Sequence, residues 1–201
     1  METTPLHESG HADLRPNQAD AFREAMRGFA ATVVLISTLV EGRPWGVTVT
    51  SVCSLSIRPP RLIVSLMRRS TACQSIATAG HFGANVLAPE QVTVARFGAK
   101  PGEPKFLDAS LLSQEHQTAQ SPVLVGALAH IQCQVAEVFD GGDHDIIVGD
   151  VIEIVGGNPS GKSPLVYFDG GFRHLGTPVE APASWRPANV AGAPSSVQRP
   201  S

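Results

Sequence analysis

The chain has 201 residues, of which 42% are hydrophobic and 16% charged, enough for one domain with a sizeable core and too apolar for a disordered chain. Fifteen Lys plus Arg against eighteen Asp plus Glu leave a net charge of -3, which argues against nucleic acid or an anionic membrane as the main partner. No uncharged apolar run reaches membrane-spanning length and no signal peptide opens the chain, so the sequence predicts a cytoplasmic protein.

Residues 1–16 read as a flexible N-terminal arm. A helix is predicted to follow, with Asn17 as N-cap and Asp20 at N3. Phe22, Ala25, Met26 and Phe29 fall at i, i+3, i+4 and i+7, so this helix is expected to face the core. Residues 31–40 are rich in β-branched side chains and read as one strand. A turn at residues 41–44 leads to a second strand over residues 45–57, stopped by Pro59-Pro60, and residues 61–67 form a third. Ser70 is placed to cap a short helix ending at Ala79, with Gly80 as its stop. Residues 81–88 read as a strand, residues 89–97 as a helix opened by proline, and residues 98–122 as irregular.

A long strand is expected over residues 123–139, and the turn Asp140-Gly141-Gly142-Asp143 returns it as a hairpin through residues 144–155. Residues 164–168 and 172–175 close the pattern. Residues 177–201, rich in Pro and Ala, read as a disordered tail, which leaves residues 17–176 as the domain. Six or seven strands with only short helices between them predict a mainly β fold, a small closed barrel with peripheral helices.

Several motifs carry no chemistry. GGNPSGKS at residues 156–163 matches a phosphate-loop pattern, but that pattern needs a helix after its lysine and here Pro164 and a strand follow. Cys53, Cys73 and Cys133 are odd in number and far apart, form no zinc pattern, and read as buried inert thiols. His130 and Cys133 lie on opposite faces of one strand, so no metal site is expected there.

Other residues point to a ligand. Thr48, Thr50, Ser51, Ser54, Ser56 and Ser65 put hydroxyls on otherwise apolar strands, which suits a flat heterocycle with carbonyl edges and a ribityl phosphate. Arg68 and Arg69 precede Ser70 and Thr71 at a predicted helix start, where amides, hydroxyls and guanidinium groups make an anion pocket. Asp143-His144-Asp145 sits at the hairpin mouth, and a histidine there is open to a ligand and oriented by the flanking acids.

Gly46-x-Thr48-x-Thr50-Ser51, Ser54-Leu55-Ser56-x-x-Pro59-Pro60, Ser70-Thr71, Phe82-x-x-Asn85-Val86-Leu87, Arg96-Phe97, Lys105-Phe106 and Gly142-Asp143-His144-x-Ile146-x-x-Gly149-x-Val151 follow one another in the chain. In that order, closed by Pro164–Phe168 and Phe172-Arg173-x-Leu175, they resemble the short-chain flavin reductase family over residues 20–176. Its members are reductase components of two-component flavin-dependent monooxygenases. The resemblance implies an FMN-binding split β-barrel of six to seven strands, Greek-key-like, in a homodimer. It implies FMN or FAD as cofactor, NADH or NADPH as hydride donor, and a monooxygenase that receives reduced flavin. Carried over by residue, Thr48, Val49, Thr50 and Ser51 contact the flavin ring or ribityl chain. Ser65, Leu66 and Met67 line the ring, and Ser70 and Thr71 hold the phosphate end. Asn85, Val86 and Leu87 contact the flavin, and Lys105 and Phe106 close its phosphate side. His144 lies near the nicotinamide as the catalytic residue, with Asp143 and Arg173 beside the NAD(P)H. The alternatives are an electron carrier that holds FMN tightly and a split barrel that binds another ligand without a redox step.

Overall fold

The computed structural model describes residues 16–115, 120–157 and 162–176. The expected tail lies outside them, as does all of the expected arm except Pro16. A seven-stranded antiparallel sheet dominates. Its strands are β2 (Val34–Val40), β3 (Arg43–Val49), β4 (Val52–Ile57), β5 (Pro60–Met67), β6 (His81–Val86), β7 (Ala129–Asp140) and β8 (His144–Gly156). They run in the order β3-β2-β6-β7-β8-β5-β4. A small sheet joins β1 (Ala31–Thr32) to β9 (Val166–Phe168) and β10 (Gly171–Arg173).

The strand order carries its own geometric consequence. β3 and β4 sit at opposite edges, yet only Thr50 and Ser51 separate them in the chain. Two residues span at most about 10 Å between flanking Cα atoms, so the sheet must curl until its edges meet at that corner. Ser51 ties the corner to β5: its carbonyl accepts from Ser65 N at 3.1 Å and its hydroxyl donates to Ser65 O at 2.6 Å. Beyond the corner β3 pairs with residues 105–107 and not with β4, Gly46 N bonding Lys105 O at 3.0 Å and Leu107 N bonding Pro44 O at 2.9 Å, so the barrel stays split.

Alternation along β2 builds two cores, one on each face of the strand. Val34 and Ile36 pack with Leu62, Val64, Phe82 and Ile147. Val33, just ahead of the strand, and Leu35 pack with Leu87, Leu107, Leu124 and Leu165. Helix α2 (Thr71–Ala79) covers the first core with Cys73 and Ile76. Ser70 caps it by accepting from Cys73 N at 3.2 Å, and Gly80 ends it in the left-handed conformation, as expected. Helix α3 (Val92–Ala99), preceded by a single 3-10 turn (Pro89–Gln91), covers the second core through Ala95. A Cβ on Gly98 would stand 2.4 Å from Thr48 Oγ1 and 2.9 Å from Thr48 N, so its absence lets α3 rest directly on β3.

Five expectations are corrected. The strand predicted over residues 31–40 breaks at Val33, whose N–H bonds Leu165 O while Leu87 N bonds its carbonyl; there the chain changes sheets. The strand predicted over residues 45–57 breaks at the Thr50–Ser51 corner. The strand predicted from residue 123 begins at Ala129, after a turn in which Gly126 takes a positive φ. Helix α1 (Pro16–Arg27) opens at Pro16, whose fixed φ and missing N–H suit a first helical position, so Asn17 lies inside the helix and is not its cap. Its apolar stripe does not face the core either: Phe22 and Phe29 are 65% and 64% exposed. The described contacts tether the helix end to the β9–β10 turn, with Arg27 Nη2 3.2 Å from Asp169 Oδ1 and Asp169 N bonding Arg27 O at 3.1 Å.

The thiols divide. Burial pushes Cys73 up to about 11 and Cys133 up to about 12, so both stay protonated near neutrality. Cys53, expected buried, is exposed on edge strand β4.

One polar cluster is sealed inside. Asn85 Nδ2 donates to Leu35 O at 3.2 Å and Ser37 Oγ at 3.0 Å. Its Oδ1 accepts from Leu124 N at 2.9 Å and meets His130 Nδ1 at 3.0 Å. Because the Asn85 amide is fixed in this way, His130 carries its hydrogen on Nδ1. Ser121 hydroxyl donates to Gln132 Oε1 at 2.6 Å beside it. Gly83 makes room for the cluster, since a Cβ there would stand 2.3 Å from His130 Cε1 and 2.4 Å from Ser121 Oγ. Gly83→Ala is therefore expected to destabilise the fold by about 3 kcal/mol, through overpacking and broken buried hydrogen bonds. Urea denaturation measures it, and unchanged stability would show that the cluster yields freely.

Candidate functional site

A groove of about 810 Å³ opens along the corner where the sheet edges meet. β3 supplies Thr48 and Val49, and the corner supplies Thr50 and Ser51. β5 contributes Ser65, Leu66 and Met67, the start of α2 contributes Arg69, Ser70 and Thr71, and the segment after α3 contributes Lys100 and Lys105. His144, first residue of β8, stands at the rim because the β5–β8 register pairs it with Met67.

The floor is polar and the helix end attracts anions. Thr48 Oγ1 is buried without a protein hydrogen-bond partner. The amides of Thr71 and Ala72 lie in the first turn of α2, where no intrahelical acceptor exists, and the helix dipole adds positive potential. Arg69 and Lys105 bring positive charge to the same groove. Arg68 does not join them as an anion ligand: its guanidinium reaches Asp140 Oδ1 at 2.5 Å and Asp145 Oδ1 at 2.7 Å.

His144 Nδ1 lies 2.7 Å from Asp143 Oδ1. A carboxylate accepts, so Nδ1 holds the hydrogen and Nε2 is the ring nitrogen left for a ligand. The hydrogen bond from His144, reinforced by its charge, holds the Asp143 carboxyl below the usual carboxylate range.

The expected site residues divide into three groups. Thr48, Val49, Thr50, Ser51, Ser65, Leu66, Met67, Ser70, Thr71, Lys105 and His144 come together around the one groove, with the Leu66 side chain turned into the core. Phe106 and Asp143 stand one layer back. Phe106 packs edge-on against Trp45 at 4.8 Å, under the Arg43 guanidinium at 3.7 Å, and so supports a groove wall. Asn85, Val86, Leu87 and Arg173 are not brought to the groove. The Asn85 side chain is spent in the sealed cluster, Leu87 is buried in the second core, and Val86 sits in the ladder between β2 and β7. Arg173 bends onto its own strand, donating to Phe172 O at 3.1 Å.

Sequence reading missed a second cleft beside the first. Arg96, Lys100, Tyr167 and Phe172 line it, and it shares Thr48, Val49 and Thr50 with the groove. Arg96 near the end of α3 and Lys100 just past it, four apart in sequence, were the available signal. Nothing in the sequence brings α3 alongside β9 and β10.

The groove fits a flavin by the chemistry of its donors. It offers a long apolar wall, a hydroxyl-rich floor with an orphaned Thr48 oxygen, and helix amides with cations at one end. Known proteins agree. The profile described as "Flavin reductase like domain" matches residues 26–176. The reductase component of a 4-nitrophenol 4-monooxygenase/4-nitrocatechol 2-monooxygenase from Rhodococcus opacus is 33% identical over 162 residues, covering 81% of this chain and 84% of its own. A flavin reductase (NADH) from Kitasatospora aureofaciens is 34% identical, covering 78% and 82%. Among solved structures, a nitrilotriacetate monooxygenase component B homologue from Mycobacterium thermoresistibile superposes with a TM-score of 0.73 at 29% identity, covering 85% of this chain and 93% of that one. The match of the profile to three quarters of the chain, on a fold and groove built as described, establishes that this protein belongs to the flavin reductase like domain family.

Proposed function

We propose that this protein is an NAD(P)H:flavin reductase that passes diffusible reduced flavin to a partner monooxygenase. The observation that carries the reading is the single groove joining hydroxyls, helix amides and cations to a histidine at its rim. Relatives named as reductase components and as NADH-dependent flavin reductases support it.

A bound flavin supplies the electron acceptor for the hydride of a reduced nicotinamide. The chain's own residues bind and orient. Thr50, Ser51 and Ser65 present hydroxyls to the polar edges of the ring. The first-turn amides of α2, with Ser70, Thr71, Arg69 and Lys105, hold the phosphate end. Asp143 fixes the His144 ring so that Nε2 meets the nicotinamide side. No residue of the groove is a buried carboxylate or an activated thiol, so orientation carries the rate enhancement. The groove opens to solvent, which suits release of product.

A second copy of the chain covers the exposed apolar surface. Phe22 and Met26 on α1, Phe29 just beyond it, Leu55 and Ile57 on β4, and Ile152 and Ile154 on β8 are all exposed, Ile57 by 77%. Isolated exposed apolar residues are ordinary, but this many large ones on three elements mark an interface.

Absorbance at 340 nm tests the function. Rapid NADH or NADPH oxidation that depends on added FMN or FAD is expected, and no oxidation with any pair would remove the enzyme reading. His144→Ala is expected to lower kcat/KM for the nicotinamide about a hundredfold. Its flavin affinity, read by fluorescence quenching, should stay nearly unchanged, and a large loss there would refute the histidine's role. Sedimentation is expected to give twice the 21.1 kDa chain mass, and Phe22→Asp with Phe29→Asp should weaken that association. A wild-type monomer at all concentrations would contradict the dimer.

A further inference from the structure

The hairpin that carries His144 has an electrostatic problem at its mouth. Asp140 ends β7 and Asp145 lies in β8, and the register sets them directly opposite one another. Two carboxylates facing across an antiparallel pair repel. Arg68 resolves the repulsion. Its Nη2 reaches Asp140 Oδ1 at 2.5 Å and its Nε donates to Asp145 Oδ1 at 2.7 Å. The backbone N–H of the same residue donates to Asp143 O at 3.0 Å, extending the β5–β8 ladder by one bond. Two further bonds brace the same carboxylates: Gly142 N to Asp140 Oδ1 at 2.8 Å, and Cys73 Sγ to Asp145 Oδ2 at 3.5 Å. One residue at the junction of β5 and α2 thus grips both strands of the hairpin and the peptide just before His144.

We infer that Arg68 is the positioning residue for His144, holding the hairpin mouth closed so that the histidine stays at the groove rim. The inference rests on the role given to His144 above. Arg68 lies between Met67 and Arg69, both of which line the groove, yet its guanidinium points its hydrogen bonds at the hairpin and not at the anion-binding helix end. Its ion pairs are partly exposed, and such pairs contribute little to folding. Their consequence is geometric. With Arg68 lost, Asp140 and Asp145 are left facing each other, the mouth splays, and His144 leaves its place beside the groove while the flavin-binding surface is untouched. A lysine keeps the charge but cannot fork between two carboxylates.

The test is a double-mutant cycle between Arg68→Gln and His144→Ala on the full chain, with Arg68→Lys as the conservative variant. Steady-state kcat and KM for NADH and the dissociation constant for FMN are measured for each. Arg68→Gln is expected to lower kcat/KM for NADH about tenfold and leave FMN affinity within about twofold. Arg68→Lys should recover part of the loss. In the His144→Ala background Arg68→Gln should cost nothing more, because its effect passes through the histidine. Additive losses in the cycle, with His144→Ala itself impaired, overturn the positioning role and leave the histidine's intact. A parallel loss of FMN binding in Arg68→Gln overturns it too, by making Arg68 a flavin ligand or a general structural support. A silent His144→Ala removes the histidine's role and this inference with it.

Discussion

The fold and the site both depend on one covalent constraint, the two-residue link between strands at opposite edges of the large sheet. Thr50 and Ser51 cannot bridge a flat seven-stranded sheet. The sheet therefore curls, and the concavity left along the incompletely closed seam is the groove. The corner's hydrogen bonds to Ser65 fix its depth by pinning β3 and β4 to β5. The same corner places threonine and serine hydroxyls on the floor. A ligand site built this way stands on strands and a helix end, elements that hold side chains more firmly than a free loop does.

Two polar arrangements then divide the labour. The sealed cluster of Asn85, His130, Ser121 and Gln132 stitches β6 and β7 to the segment around Ser121–Leu124 from inside. Its hydrogen bonds are almost all made, and a broken buried bond costs about 1–3 kcal/mol, so it fixes the register of the central strands. The Arg68 cluster lies at the surface, where ion pairs add little stability, and governs instead the position of the hairpin mouth. Functional geometry and fold stability are thereby assigned to different sets of side chains.

Much of this was legible in the sequence, for reasons that can be named. Ser70 and Gly80 marked α2 because cap chemistry is local, and Asp140–Asp143 marked the β7–β8 turn for the same reason. The hydroxyls of Thr48 to Ser65 and the Asp143-His144 pair were visible as residue types out of keeping with their strands. What failed was non-local. β-branched runs look the same whether the chain keeps its partner strand or changes it, so the breaks at Val33 and Thr50–Ser51 left no mark. The stripe of α1 has a helical period, but periodicity does not say whether a core or a second chain covers it. The resemblance implied a flavin contact at Asn85, and no local pattern revealed that its side chain finds Leu35, Ser37, Leu124 and His130 as hydrogen-bond partners. Arg68 looked like an anion ligand because no local pattern reveals that Asp140 and Asp145 arrive beside it.

The groove at the sheet corner is the proposed flavin site. Amide hydrogen exchange on the full chain, with and without saturating FMN, tests it most directly. Slowed exchange is expected at the Thr50–Ser51 corner and in the first turn of α2, at Thr71 and Ala72, with Asn85 to Leu87 unaffected. Protection centred elsewhere, for instance in the cleft lined by Ser110 and Val125, with the corner unchanged, would contradict it.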